Sequence, residues 1–158
     1  MVLLFISIIL FNVIALNKNK IPTMNRKVSI WTFTIAFQIT FDSIVELKYN
    51  SYWDFDNGID WLGFLAHTEL ILPITILLLR YFPLNASVFK KGIYIVCWTV
   101  VIMLYEKLIS LPEPLGFFHL GWWKVWIDVI GAPILILIML GYYKWICNLE
   151  KKLLNSYL

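Results

Sequence analysis

Six ionisable side chains lie within or at the ends of long apolar segments, where a charged group is expensive to bury. They are five of the ten acidic residues and one histidine: Asp42, Glu46, His67, Glu69, Glu106 and Asp128. Carboxyl groups in apolar surroundings hold or release protons, bind cations, or hydrogen-bond to neighbouring helices. We predict that the six residues form one polar pocket in the outer half of a helix bundle, with no catalytic role assigned to any of them.

The composition excludes a soluble protein. Of the 158 residues, 61% are hydrophobic and 15% are charged, and the mean hydropathy is +0.79. The net charge of +3 comes from short basic clusters between apolar runs, which do not form the basic stripe of a nucleic-acid-binding surface. We therefore expect a lipid bilayer as the surroundings and no nucleic-acid partner.

Five apolar stretches approach the roughly 20 residues that a membrane-spanning helix needs. They cover residues 2–16, 28–48, 61–82, 88–110 and 122–147. The first stretch is short, but no Lys or Arg precedes it and no small-residue cleavage site follows it, so we expect a retained span rather than a secretory signal. The sequence predicts an all-α protein, a polytopic transmembrane helix bundle with five spans, forming a single domain over residues 1–158.

The distribution of basic residues predicts the orientation of these spans, because Lys and Arg are retained on the cytoplasmic side. Three basic residues fall on one side, namely Lys48, Lys107 and Lys124. The other side receives ten: Lys18, Lys20, Arg26, Lys27, Arg80, Lys90, Lys91, Lys144, Lys151 and Lys152. We predict that the N-terminus lies outside and the C-terminus in the cytoplasm.

The second span has two different faces at 100° per residue. One face is polar, with Thr34, Gln38, Asp42 and Glu46. The opposite face is a small-residue seam of Ser29, Thr32, Ala36, Thr40 and Ser43. This arrangement predicts a helix in the middle of the bundle, contacting neighbours on both sides.

Two prolines interrupt later spans. Pro73 and Pro133 should kink their helices and leave the carbonyls of Glu69 and Val129 without helical partners.

Other charged residues allow a purely structural interpretation of the polar layer. Lys124 and Asp128 are spaced i,i+4, Lys107 adjoins Glu106, and His67 is able to satisfy a carboxylate.

The outer loop with Asp54, Asp56 and Asp60 departs from the EF-hand pattern, which favours a solvated interfacial loop over a calcium site. The two cysteines form no metal-binding motif, and we expect no cofactor and no metal.

A set of aromatic-rich motifs carries a family resemblance. They are Tyr52-Trp-Asp-Phe-Asp56, His67-Thr68, Arg80-Tyr-Phe-Pro83, Lys91 to Trp98 followed by Tyr105-Glu106, and Gly121-Trp-Trp-Lys-Val-Trp126. The chain resembles an uncharacterised family of small polytopic membrane proteins of endospore-forming Gram-positive bacteria. The resemblance implies a location in the bacterial plasma membrane, and recurring positions at Asp42, Trp53, His67 and Glu106. A fainter similarity, to membrane-embedded lycopene cyclase domains, is carried by Glu69 and Pro73.

Three functions are consistent with these observations. The first is a non-enzymatic membrane protein whose outer-half pocket organises the bundle or binds a small ligand or ion. The alternatives are a component of a proton- or cation-coupled permease and a membrane enzyme acting on a lipid or isoprenoid, which needs one carboxyl group as a general acid. A second copy of the chain or another membrane protein remains open as a partner.

Overall fold

The computed structural model describes residues 2–17, 21, 23–56, 58, 61–112 and 114–156. Six α-helices are present in these ranges: α1 (Val2–Asn17), α2 (Met24–Asp42), α3 (Trp61–Glu69), α4 (Ile71–Tyr81), α5 (Val88–Ile109) and α6 (Val125–Ser156). A π-helical segment, Ser43–Lys48, extends α2 without a break. The basic residues Lys18 and Lys20, and Asp60 of the outer loop, lie outside the described residues.

Four helical spans in the described part of the chain are long and apolar enough to cross a membrane. They are Met24–Lys48, Trp61–Tyr81, Val88–Ile109 and Trp126–Leu153, while Val2–Asn17 is a shorter apolar helix. Large apolar side chains such as Val96, Val100 and Leu104 are exposed along α5, and in a bilayer such side chains face lipid at no cost. The chain is a multi-pass membrane protein.

Pro73 breaks the third predicted span into α3 and α4 at Leu70. Proline lacks the N–H that would bond to the carbonyl four residues earlier, which is that of Glu69. Asn12 of α1 replaces that donor, with its Nδ2 atom 3.0 Å from the Glu69 carbonyl oxygen. The short helix α1 is thereby hydrogen-bonded to the break between α3 and α4. In α6, by contrast, Pro133 lies inside a continuous helix.

Two short strands join the loops at one end of the bundle. β1 (Tyr52–Trp53) pairs antiparallel with β2 (His119–Leu120), so the chain is mostly helical rather than purely α. The backbone N–H groups of Gly121 and Trp123 both donate to the Ser51 carbonyl, at 3.0 Å. A side chain at Gly121 would place its Cβ 2.7 Å from the Asn50 carbonyl oxygen, so only glycine fits this close approach.

Because of the same strand pairing, the last helix starts later in the sequence than we predicted. We predicted a span from residue 122, but residues 122–124 belong to the loop bonded to Ser51, and α6 begins at Val125. The second span also begins earlier than predicted, at Met24.

Most of the described part of the small-residue seam of α2 is exposed. Thr32, Ala36 and Thr40 are all exposed, and the Thr40 hydroxyl donates to the Ala36 carbonyl of its own helix. The side chain of Ser43 lies outside the described residues. Along these three residues the seam face of α2 is open, whereas the Ser29 carbonyl near its start accepts a hydrogen bond from the Tyr142 hydroxyl of α6.

Candidate functional site

A cavity of about 530 Å³ lies between α2, α4, α5 and α6. Its walls are mainly aromatic and aliphatic, with Phe33 and Phe37 from α2, Leu78 from α4, Trp98 from α5 and Met139 from α6. Its polar lining is concentrated at the end nearest the paired loops, where four carboxyl groups and one imidazole occur: Asp42, Asp54, Glu106, Asp128 and His67.

His67 is surrounded by three carboxyl groups. Its Nδ1 atom lies 3.0 Å from Asp42 Oδ2. Its Nε2 atom lies 3.2 Å from Asp54 Oδ2 and 3.7 Å from Glu46 Oε2. Carboxyl groups therefore lie within ion-pair distance of both ring nitrogens, and a positive charge on the imidazole would compensate them. This ring links α3 to α2, to its π-helical extension and to the outer loop.

Asp42 accepts several hydrogen bonds besides its contact with His67. Gln38, one turn earlier on α2, donates its Nε2 to both carboxylate oxygens, at 2.9 and 2.7 Å. The Tyr52 hydroxyl donates to Oδ1 at 2.8 Å. Burial, and then the negative charge of Asp42, raise the pKa of the Tyr52 hydroxyl far above its ordinary value, so Tyr52 remains a neutral donor.

Asp54 is a site residue that the sequence did not identify. We predicted a solvated loop, but Asp54 is only 5% exposed and its carboxylate lies against the His67 ring. The strand pairing of its neighbour Trp53 with His119 holds the loop over the bundle. Burial raises the pKa of the Asp54 carboxyl group, although the adjacent His67 opposes that effect. Asp56, two residues later, is exposed as expected.

Glu106 and Asp128 form a second acidic group on the α5 and α6 side of the cavity. Both side chains line the cavity. Trp123 Nε1 donates to both oxygens of Asp128, at 3.1 and 2.9 Å. Glu106 is 8% exposed, and its Oε1 atom has no hydrogen-bond partner among the described residues.

The six predicted residues therefore differ in their position relative to the cavity. Asp42, His67, Glu106 and Asp128 line the cavity. Glu46 approaches His67 from the edge of the cavity without lining it. Glu69 is exposed and outside the cavity, because residues two apart on a helix point in nearly opposite directions and His67 is the one that faces inward.

The predicted lysine partners of the acids also lie elsewhere. Lys124 precedes α6 rather than lying one turn from Asp128 on the same helix, so the assumption behind that ion pair was wrong. Lys107 and Lys124 are both exposed, and Asp128 is held by Trp123 instead. In the described part of the chain, no lysine or arginine forms an ion pair with an acid of the cavity.

No protein-family model, curated protein or solved structure matches the chain. The resemblance to small membrane proteins of endospore-forming bacteria thus stays a prediction, as does the bacterial plasma membrane. What can be said about function depends on the geometry of the cavity.

No group of three or more His, Cys, Asp or Glu residues within the described ranges is arranged to hold a metal ion. In the acidic cluster of α2 and α3, the central position is occupied by the His67 ring.

Proposed function

We propose that this membrane protein binds an amphiphilic small molecule, with an apolar body in the cavity and a cationic head group against its acidic end. The observation that carries this proposal is the cavity of about 530 Å³ with apolar walls and carboxyl groups at one end. The volume falls in the range of roughly 300–1,000 Å³ typical of small-molecule sites.

The charge of the polar end selects the head group. Four carboxyl groups line the cavity against a single imidazole, and the nearby lysines Lys107 and Lys124 are exposed rather than paired with them. Even if the His67 ring carries a positive charge, the carboxyl groups remain in excess. A cation compensates that excess, whereas an anionic head group would be repelled.

The cavity is accessible from the lipid phase. Val101 of α5 and Ile134 of α6 line it and are 52% and 50% exposed, so we place its opening to lipid beside these two side chains. An amphiphile dissolved in the bilayer therefore reaches the cavity without passing through water.

The His67 cluster has a separate, organising role. Asp42, Asp54 and Glu46 belong to α2, the outer loop and the π-helical segment, and all three approach the same ring on α3. We assign this cluster to holding the polar end of the cavity in shape, which leaves Glu106 and Asp128 as the groups available to a ligand.

The similarity to lycopene cyclase domains loses the acid that carried it. The similarity to lycopene cyclase domains depended on Glu69 and Pro73, and the Glu69 side chain is exposed outside the cavity. A carboxyl group there does not reach a substrate bound between the helices.

Gly131 offers a direct test, because it lines the cavity and a Cβ added there would meet nothing within 4 Å. The purified protein in zwitterionic-lipid nanodiscs is titrated with dodecyltrimethylammonium, dodecanol and dodecanoate, and tryptophan fluorescence is followed after subtraction of empty nanodiscs. We expect the cation to bind most tightly and the anion most weakly. Gly131→Leu fills part of the cavity and should weaken cation binding about tenfold, or about 1.4 kcal/mol.

Gly141→Leu is the matched control. Gly141 lies on the same helix, has equally open space around it and does not line the cavity. If both variants bind like the wild type, or if the three head groups bind equally well, the proposed function is wrong.

A further inference from the structure

Three aromatic rings meet at the acidic end of the cavity and line it: Tyr52 of β1, Phe118 just before β2, and Trp123 of the loop before α6. The Tyr52 and Trp123 rings are nearly perpendicular, with centroids 5.6 Å apart and planes at 84°. Phe118 is tilted by 40° against Tyr52, with centroids 5.3 Å apart. Because their planes are inclined to one another, these three rings form a corner rather than a flat wall, and we call them the aromatic corner.

Two rings of the aromatic corner are bonded to carboxyl groups through their polar atoms. The Tyr52 hydroxyl donates to Asp42 Oδ1 at 2.8 Å, and Trp123 Nε1 donates to Asp128 Oδ2 at 2.9 Å. Each bond holds a ring beside an acid, so aromatic carbon and negative charge lie next to each other at this end of the cavity. Both features attract a cation.

The acceptor positions of the Asp42 carboxyl group are already used within the protein. A carboxylate offers about four such positions on its two oxygens. Gln38 Nε2 donates to each oxygen, and the Tyr52 hydroxyl donates to Oδ1 as well. His67 Nδ1 lies 3.0 Å from Oδ2. Asp42 therefore contributes negative charge to the cavity without an acceptor position for a ligand.

The acids on the opposite side of the cavity are also restricted as acceptors. Both oxygens of Asp128 are directed to Trp123 Nε1, at 3.1 and 2.9 Å. The Oε1 atom of Glu106 is buried, so it is closed to a donor on a ligand. The acidic end as a whole offers a cation more negative charge than hydrogen-bonding capacity.

This combination distinguishes two kinds of cationic head group. A primary ammonium carries three N–H donors, and each donor that is buried without a partner costs free energy. A quaternary ammonium has no N–H group, and it is attracted to the faces of aromatic rings. A corner of rings beside carboxyl groups whose oxygens are already bonded therefore favours the quaternary cation.

We infer that the aromatic corner selects a quaternary ammonium head group over a primary one. This inference rests on the proposed function and specifies the head group of the same ligand. The methylated nitrogen lies against Tyr52, Phe118 and Trp123, where the charges of Asp42 and Asp128 attract it. The ring faces and the shortage of free acceptors together produce the selectivity.

Three cations with the same apolar body test this selectivity. Dodecylammonium, dodecyldimethylammonium and dodecyltrimethylammonium carry three, one and no N–H donors, and all are cations at neutral pH. The protein is placed in nanodiscs of phosphatidylethanolamine, whose own head group is not quaternary. Tryptophan fluorescence is followed during each titration, and empty nanodiscs correct for partition into the bilayer. We expect the trimethyl compound to bind about tenfold more tightly than dodecylammonium, with the dimethyl compound between them.

Phe118→Leu removes one ring of the aromatic corner and keeps an apolar side chain. It should weaken dodecyltrimethylammonium binding about threefold and leave dodecylammonium binding unchanged, because only the quaternary cation depends on the ring face. Phe64→Leu is the matched control. Phe64 also packs nearly perpendicular to a tryptophan, Trp61, at 81°, but it does not line the cavity. The control should keep the full preference.

Tyr52→Phe tests the contribution of the acceptors separately. It keeps the ring and removes the hydroxyl donor, which frees one acceptor position on Asp42. Dodecylammonium should then bind about threefold more tightly, while dodecyltrimethylammonium binding stays nearly the same. The preference thus shrinks by a different route, and this variant also serves if Phe118→Leu fails to fold.

The outcomes separate the two proposals. If the wild type binds dodecylammonium as tightly as dodecyltrimethylammonium, or if the preference stays intact in both variants of the corner, the inference is overturned and the proposed function stands. If neither cation binds more tightly than dodecanol, the proposed function itself fails, and the selection of a quaternary head group fails with it.

Discussion

Asn12 Nδ2 donates to the backbone carbonyl of Glu69 at 3.0 Å, and Pro73 is the reason that this carbonyl lacks a helical partner. The same amide donates its second hydrogen to the Ile8 carbonyl at 3.0 Å. Both hydrogens of one side chain are therefore used, one within α1 and one across to the kink between α3 and α4. Because His67 lies only two residues before Glu69, this contact also positions the helix that carries the ring.

Replacing Asn12 with Leu should destabilise the bundle by about 1–2 kcal/mol, because the Glu69 carbonyl loses its donor in an apolar region. The decisive experiment combines this change with Pro73→Ala, which restores a backbone N–H at residue 73. In that background Asn12→Leu should cost clearly less, and unfolding titrations of the four proteins give the coupling. Equal costs in both backgrounds would show that Pro73 does not create the need for Asn12.

Removing the His67 ring should be the most damaging of the single changes considered. His67→Ala removes the ring that lies between the carboxyl groups of Asp42, Glu46 and Asp54. Although Gln38 and Tyr52 still donate to Asp42, we expect a loss of about 2–3 kcal/mol in unfolding free energy. Asp54→Asn in the same background should recover part of that loss, since it removes one of the repelling charges. Thr68→Ala is the control, because its hydroxyl bonds only to carbonyls of its own helix. A loss no larger than that of the control would refute the cluster's organising role.

Asp54 should make stability depend on pH. Burial raises the pKa of the Asp54 carboxyl group in the folded protein above the ordinary value of 3.8. At a pH between the ordinary pKa and the raised pKa, the folded protein therefore binds more protons than the unfolded chain. Stability therefore falls as pH rises through that window, and levels off above the raised pKa. The melting temperature of the wild type, relative to Asp54→Asn, should decrease from pH 4 upward. The exposed Asp56→Asn makes the same change in charge and should show no such trend. A wild-type advantage that grows with pH would contradict this account.

Local sequence patterns predicted the residues that lie on regular helices. Asp42 and His67 were expected at similar depth from their distance to the ends of their spans, and the structure places them 3.0 Å apart. Membrane helices are long and straight enough for such counting, because each residue adds about 1.5 Å along the axis. The four spans, too, follow from apolar length alone.

The residues whose positions we predicted incorrectly are placed by long-range contacts instead. Asp54 is buried because residues 51–53 pair with a loop nearly 70 residues later, and no local pattern encodes that pairing. Glu69 lies on the exposed side of α3, because the helix packs with Ala66 and His67 facing inward. Hydropathy predicts which segments enter the membrane, but tertiary packing decides which face of each helix lines the cavity.

At the opposite end of the bundle, Glu150 of α6 is bonded to the start of α2. Its Oε1 atom accepts from the Thr23 hydroxyl at 2.7 Å and from Asn25 Nδ2 at 3.1 Å, and its Oε2 atom is paired with Arg26 Nε. Glu150→Gln loses the charge and replaces one acceptor with a donor, so we expect it to destabilise the protein by about 1.5–3 kcal/mol. Lys151→Gln, next to it and exposed, should change stability by less than about 0.5 kcal/mol.

The same variant tests whether the two ends act independently. Glu150 is 22 residues beyond Asp128 on α6, or about 33 Å along the helix axis. Glu150→Gln should therefore lower the unfolding free energy while leaving dodecyltrimethylammonium affinity unchanged at temperatures where the protein is folded. If ligand affinity instead falls as far as in Gly131→Leu, the contact between α2 and α6 at this end also sets the shape of the cavity.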